Sequence, residues 1–129
     1  MDFNMLVNAL IILFLIWFVI SRFAGAKGLR QLDSEQFLNE TKRSDNMILI
    51  DVREPAEVKQ GYIAGAINIP LSQLKQRATE IPAGKSVFLY CRSGMRSKQA
   101  ARILYKKGFR ELTHLQGGIM SWKGKVVTK

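Results

Sequence analysis

The sequence begins with an apolar run, residues 3–21, that contains no charged side chain. At the rise of an α-helix, a run of this length is about 28 Å long, close to the thickness of a bilayer core. Trp17 and Phe18 lie near its end, where aromatic rings often mark the membrane interface. The roughly one hundred residues that follow are enough for one compact domain with one core, but not for two.

A cleaved signal peptide is the alternative interpretation of this run, because residues 24–26 have the small side chains of a cleavage site. Signal peptides carry basic residues before the apolar run, whereas here the basic residues follow it. Basic residues after a span also place its carboxyl side in the cytoplasm. We therefore predict an uncleaved, single-pass membrane anchor over residues 1–23, a linker over residues 24–28 and a cytoplasmic domain over residues 29–129.

The chain has a single cysteine, Cys91, and a single histidine, His114. One thiol cannot form an intramolecular disulfide, and one cysteine with one histidine cannot supply the usual ligands of a zinc site. We therefore predict no metal site and no cofactor. Cys91 is then either a small buried side chain or a working nucleophile.

Strand-like and helix-like segments alternate after the apolar run. Residues 47–52 and 86–91 are continuous apolar runs, typical of central parallel strands. Residues 96–107 repeat apolar and basic side chains at helical spacing. Further strands are predicted over residues 29–32, 66–69 and 111–115, and further helices after Asp33, over residues 55–60 and 72–78, and around Trp122. This order predicts an α/β fold, with an open, mostly parallel sheet, helices on both of its faces and one transmembrane helix before it.

Cys91 follows the second central strand, at the edge where sheets of this kind bind ligands. The next five residues are Arg92, Ser93, Gly94, Met95 and Arg96. A glycine turn that enters a helix can direct several backbone N–H groups at an anion, and the helix dipole adds to their effect. The two arginines add positive charge. These features favour the thiolate over the thiol and predict that Cys91 is a nucleophile.

Basic residues are concentrated around and after this loop, where no acidic residue interrupts them. They are Arg92, Arg96, Lys98, Arg102, Lys106, Lys107 and Arg110. Such a cluster is most often a solvated helix face; the alternatives are an anion-attracting field around Cys91 and contact with anionic lipid head groups. We predict no nucleic-acid partner, because no aromatic interleaving or nucleic-acid motif accompanies the charge.

Three segments of the sequence are similar to signatures of one enzyme family, and they occur in the family's order. They are residues 51–57 with 61–70, the loop from Cys91 to Arg96, and residues 115–119 with Trp122. The chain resembles a single-domain rhodanese-like sulfurtransferase with an N-terminal membrane anchor, and the resemblance covers about residues 28–123.

The resemblance implies the roles of Cys91, Asp51 and Arg53, and the residues themselves indicate those of His114 and three glycines. Cys91 would carry sulfur as a persulfide, and backbone N–H groups of the loop would surround the outer sulfur. Asp51 and Arg53 would support the fold around the loop rather than act on substrate. His114 could be a proton shuttle, but a single histidine on a terminal strand more often has a structural role. Gly65, Gly117 and Gly118 would serve tight turns.

Three functions remain open on the sequence alone. The first is a sulfurtransferase that moves sulfur from a small anionic donor such as thiosulfate to cyanide or to a thiol acceptor of unknown identity. The second is a membrane-bound persulfide carrier or docking module that needs a protein partner. The third is a phosphatase of a related fold, which the loop disfavours because it has four residues between Cys91 and Arg96 where those phosphatases have five.

Overall fold

The computed structural model describes residues 2–23 and 28–128. Helix α1, Phe3–Phe23, contains the apolar stretch Phe3–Ser21. By length and composition this stretch can cross a membrane, although a signal sequence near the amino terminus meets the same criteria. Leu10 and Trp17 are 66% and 62% exposed, so α1 is not a core helix of the domain. The predicted linker, residues 24–28, lies outside the described residues except for Gly28.

The remaining described residues form the α/β domain. Its strands are β1 Leu29–Leu32, β2 Met47–Asp51, β3 Tyr62–Ile63, β4 Ile67–Asn68, β5 Ser86–Tyr90, β6 Leu112–Leu115 and β7 Val126–Val127. Its helices are α2 Ser34–Arg43, α3 Pro55–Val58, α4 Leu71–Arg77 and α5 Met95–Lys106, with 3₁₀ turns at Ala78–Glu80 and Ile119–Ser121.

The domain is built on a five-stranded sheet in the order β1-β6-β5-β2-β4. All of its strand pairs are parallel. A separate antiparallel pair joins β3 to β7. Helices α4 and α5 cover one face of the sheet and α2 covers the other. The predicted α/β architecture is confirmed.

Side chains of β5 alternate between the two faces, as the two-residue period of a strand requires. Val87 and Leu89 pack in the core beneath α4 and α5. Phe88 and Tyr90 pack on the opposite face, with Phe37 of α2. Cys91 continues the first series, so its side chain faces α5.

Local sequence signals predicted some element ends correctly and others wrongly. The Asp33–Gln36 capping box is present at the start of α2, with both reciprocal hydrogen bonds formed. The helix predicted over residues 55–60 ends at Val58. The predicted terminal helix is a 3₁₀ turn that ends before Trp122, whose ring packs edge-on against Phe37 at 6.0 Å. The sequence predicts β4 within residues 66–69 but does not predict β3 or β7, whose two residues each show no detectable period.

A buried ion pair holds the carboxyl end of β2. Asp51 is 1% exposed and Arg53 is 5% exposed. Nη2 of Arg53 lies 2.7 Å from Oδ2 of Asp51, and Nε lies 3.0 Å from Oδ1. Nη2 also donates to the carbonyl oxygen of Gly61 at 2.7 Å. Asn68 of β4 donates to the carbonyl oxygens of Asp51 and Arg53. The pair therefore links β2 to the turn before β3, while Asn68 ties β4 to the same corner.

Tyr90, the last residue of β5, extends this corner to the strand that carries Cys91. Its hydroxyl accepts a hydrogen bond from the Ile63 N–H at 3.0 Å. The guanidinium carbon of Arg53 lies 5.7 Å from the centre of its ring, within the range of a cation–π contact. Burial raises the pKa of Tyr90, and the hydrogen bond and charge of Asp51 act in the same direction.

We expect Arg53→Leu to lower the free energy of unfolding by about 3–5 kcal/mol, because Asp51 would be left as a buried, unpaired carboxylate. The matched control is Arg77→Leu, which breaks an ion pair with Glu80 on the protein surface and should change stability little. Urea denaturation of the detergent-solubilised protein measures both. Equal losses in the two variants would contradict a structural role for the Asp51–Arg53 pair.

Candidate active site

The candidate site lies where β5 ends and α5 begins. Cys91 is 1% exposed and follows Tyr90 directly. Gly94 precedes the first residue of α5 and has a left-handed conformation with φ of 113°. That conformation is strained for a residue with a side chain. The tight turn at Gly94 brings the first turn of α5 over the cysteine sulfur.

Two backbone N–H groups point at the sulfur of Cys91. Gly94 donates to Sγ at 3.0 Å, and Ser97 donates to Sγ at 3.4 Å. The hydroxyl oxygen of Ser97 lies 3.7 Å from Sγ, within hydrogen-bonding range for sulfur. Hydrogen-bond donors at these positions stabilise negative charge on sulfur.

The five predicted loop residues have different surroundings. Gly94 is buried and contacts Sγ, whereas Arg92, Ser93 and Met95 are exposed. Arg96 is half-buried. Ser97, which contacts Sγ through both its backbone and its side chain, lies just outside the predicted loop. The available signal was its position in the first turn of α5, six residues after Cys91.

The charge of Arg96 is shared with Glu57 of α3. Nη1 and Nη2 of Arg96 lie 2.6 Å and 2.9 Å from the two carboxylate oxygens of Glu57. This hydrogen-bonded pair lowers the pKa of Glu57 to about 2, so the carboxylate stays charged at neutral pH. The sequence alone indicates that Arg96 adds to the positive field around Cys91, and no local pattern indicates Glu57 as its partner.

The 3₁₀ turn Ile119–Ser121 packs against the backbone of the loop that follows Cys91. Ile119 and Met120 donate backbone hydrogen bonds to the carbonyl oxygens of Cys91 and Arg92, at 2.9 Å and 3.2 Å. A Cβ atom at Gly118 would overlap both of those peptide units. Gly118 also has a positive φ of 64°. A glycine at this position therefore allows the two backbones to touch.

His114 of β6 lies beside the loop and is 1% exposed. Its Nδ1 is 2.9 Å from Oγ of Ser97, and its Nε2 is 2.9 Å from Oε1 of Gln31. Burial lowers the pKa of His114 to about 4, and the positive charge of Lys98 acts in the same direction. The imidazole is therefore neutral at neutral pH. The sequence alone favours a structural role for His114 over that of a proton shuttle, whereas the structure places its ring in contact with Ser97, beside Cys91.

A cavity of about 240 Å³ opens on the outer side of the loop and is lined in part by Gln31, Ser93, Met95, Lys98 and His114. A larger depression of about 390 Å³ lies at the opposite, amino-terminal edge of the strands, next to Gly84 and Gly108. The chemistry-bearing groups are at the smaller cavity. Within residues 2–23 and 28–128, His, Cys, Asp and Glu side chains form no group of three that could hold a metal ion.

Known proteins share this arrangement of sequence and fold. The family model of the rhodanese-like domain matches residues 34–125. The chain is 42% identical over 126 residues to the uncharacterized protein YqhL of Bacillus subtilis, and the match covers 98% of each chain. It is 38% identical over 92 residues to a sulfurtransferase of Allochromatium vinosum, covering 71% of this chain and 86% of the relative.

Solved structures give the same result. A rhodanese-related protein from Thermoplasma volcanium matches with a TM-score of 0.70 and 31% identity, over 78% of this chain and 99% of that one. A rhodanese with anions from E. coli matches with a TM-score of 0.57 and 36% identity, over 64% of this chain and 99% of that one. The family match spans the Cys91 loop and well over half of the sequence. The chain belongs to the rhodanese-like domain family.

Proposed function

We propose that this protein is a sulfurtransferase that carries sulfane sulfur as a persulfide on Cys91. The observation that carries the proposal is the pair of backbone N–H groups, from Gly94 and Ser97, directed at Sγ within 3.4 Å. They stabilise negative charge on the sulfur. The family of the domain and the sulfurtransferase among its relatives support the same activity.

Thiosulfate is the donor that we propose, with cyanide or a thiol as acceptor. The Cys91 thiolate attacks the outer sulfur of thiosulfate, and a new S–S bond forms. The S–S bond of thiosulfate breaks, and sulfite leaves with the electron pair. An acceptor nucleophile then attacks the outer sulfur of the persulfide, and Cys91 leaves as the thiolate. The exposed cation of Arg92 and the excess of basic residues attract an anionic donor.

Two features of the loop argue against a phosphatase. A loop with four residues between Cys91 and Arg96 forms a smaller ring of N–H groups than the phosphatase loop, which suits one sulfur atom better than three phosphoryl oxygens. The guanidinium group that a phosphate ester would need is already paired, through two hydrogen bonds, with Glu57. A phosphate would have to displace that carboxylate.

A persulfide carrier that serves a protein partner is the second candidate. Met95 in the loop and Met120 beside it are 74% and 68% exposed. Met120 is held next to the loop by the hydrogen bond of its N–H to Arg92. Exposed methionines at a reactive centre are a flexible apolar surface of the kind that protein partners use. The chemistry at Cys91 is the same in both candidates, and the acceptor differs.

We further propose that α1 is an uncleaved membrane anchor that contacts membrane lipid and holds the domain on the cytoplasmic side. The exposure of its apolar side chains supports a lipid environment for α1. The basic residues that follow the apolar stretch Phe3–Ser21 support the cytoplasmic orientation. A reducing cytoplasm would also supply thiol acceptors.

We expect Cys91→Ser to abolish sulfur transfer while the protein stays folded, because the chain has no other thiol. The matched control is Ser93→Ala, which changes an exposed hydroxyl of the same loop and should retain most activity. Intact-protein mass spectrometry after incubation with thiosulfate should show a gain of one sulfur atom in the unmodified protein and in the control. Cyanide should remove that sulfur, and Cys91→Ser should show no gain. Sulfur transfer by Cys91→Ser would refute the mechanism.

We expect the unmodified protein to turn over thiosulfate and to leave aryl phosphates intact. One glycine inserted between Met95 and Arg96 should weaken sulfur transfer, because it widens the ring of N–H groups. The measurement compares the rates of thiosulfate turnover and of aryl phosphate hydrolysis between the native protein and the insertion variant. An insertion of one glycine in the exposed turn at Gly84 controls for the effect of an added residue. Phosphatase activity of the native protein that depends on Cys91 would contradict the assignment.

We expect protease added to intact bacterial cells that express the protein to leave the domain uncut, because the domain would lie in the cytoplasm. The protease should cut it after the membrane is opened with detergent. Immunoblotting for a carboxyl-terminal tag follows both samples. A domain that is cut in intact cells, or released outside them without α1, would rule out the proposed topology.

A further inference from the structure

A chain of hydrogen bonds leads from the Cys91 sulfur toward the protein surface. Sγ lies 3.7 Å from Oγ of Ser97, which lies 2.9 Å from Nδ1 of His114. On the other side of the ring, Nε2 lies 2.9 Å from Oε1 of Gln31. Gln31 and His114 are held together because they are paired neighbours on the parallel strands β1 and β6.

The hydrogen-bond donors along this series can all point from Cys91 toward Gln31. With the Gln31 carbonyl oxygen facing the ring, His114 carries its proton on Nε2, so Nδ1 is an acceptor. The Ser97 hydroxyl then donates to Nδ1, and its oxygen is free to accept the Cys91 S–H. A half-turn of the Gln31 amide selects the other tautomer, in which His114 donates to Ser97 and Ser97 donates to the Gly94 carbonyl oxygen, 3.0 Å away.

The two ends of this series of hydrogen bonds, Cys91 and Gln31, have very different access to water. Cys91, Ser97 and His114 are at most 1% exposed. Gln31 is exposed and lines the 240 Å³ cavity beside the loop. A thiol proton on Cys91 therefore has little direct contact with solvent, whereas the outer end of the chain has ready contact.

We propose that Ser97 and His114 form a proton path that connects the Cys91 thiol to water at Gln31. This proposal rests on the proposed function, because sulfur loading needs the thiolate. The S–H bond breaks as Ser97 Oγ takes that proton, and the original hydroxyl proton of Ser97 passes to Nδ1 of His114. The Gln31 amide turns, the hydrogen bond from Nε2 to Oε1 opens, and the Nε2 proton leaves to a water molecule in the cavity that His114 lines. Unloading to a thiol acceptor returns one proton by the reverse route.

The neutral imidazole of His114 can pass a proton on without holding it. Because its pKa is lowered to about 4, the imidazole passes a proton on instead of keeping it. Ser97 touches the reacting sulfur, whereas His114 acts through Ser97 and is a positioning residue.

Other charged groups near the sulfur and the imidazole come from three elements. They are Arg96 and Lys98 of α5, Glu57 of α3, and Asp51 of β2 with Arg53 after it. Carboxylates, guanidinium groups and lysine amines in general titrate outside the range from about pH 6.5 to about pH 9.5. A rate change confined to that range therefore does not come from those groups.

The test is single-turnover loading of the reduced, full-length protein by thiosulfate, followed by intact mass. His114→Asn should load about tenfold or more slowly at about pH 6.5, with an unchanged thiosulfate concentration for half-maximal rate. The defect should vanish at about pH 9.5, because hydroxide ion in solution can then take the thiol proton without the path. Gln31→Leu, a change at an exposed position, should show a smaller defect with the same pH dependence.

The matched control is Thr113→Val, which removes the buried hydroxyl group next to His114 on β6. That hydroxyl accepts a hydrogen bond from Arg30 and forms none with the proposed proton path. It should load like the unmodified protein at both pH values. An equal slowing of His114→Asn at both pH values, or no slowing, would overturn the path; if that variant does not fold, Gln31→Leu decides by the same criteria. An unmodified protein that gains no sulfur at any pH would instead refute the proposed function.

Discussion

The parallel pairing of β5 with β2 and β6 is the constraint on which the site depends. Its register sets Asp51 beside Tyr90 and His114 beside Leu89. Because the three strands run in the same direction, their carboxyl ends meet at one edge of the sheet. Cys91 lies at that edge between the Asp51–Arg53 pair and His114. A strand shifted by one residue would direct Cys91 to the opposite face, away from α5.

The close packing of two turns then fixes the loop itself. Gly94 lets the chain reverse into α5, and Gly118 lets the neighbouring turn touch the Cys91 and Arg92 peptide units. Both carbonyl oxygens of those units accept hydrogen bonds from that turn. The N–H groups of Gly94 and Ser97 are left directed at the sulfur. The site is thus made mostly of backbone, and its geometry depends on glycine where a side chain would not fit.

Formal charge contributes less at the sulfur than the basic composition suggests. Glu57 neutralises Arg96 and Asp51 neutralises Arg53. Lys98, Arg102 and Lys106 are exposed on α5, so water and salt screen them. Short-range hydrogen bonds therefore stabilise negative charge on Cys91, and the net charge of +10 acts at longer range on anionic donors.

The sequence by itself determined the fold class, the main strands and the position of Cys91 at a strand end, because these depend on local hydrophobic period, caps and glycine turns. Only the tertiary structure decided which distant side chains meet there. Arg96 pairs with Glu57, 39 residues away in the sequence, and His114 forms a hydrogen bond with Gln31, 83 residues away. The pairing of β3 with β7 also joins segments too short to have a period of their own. Such contacts follow from strand register and the space between packed elements, which no local pattern of residues specifies.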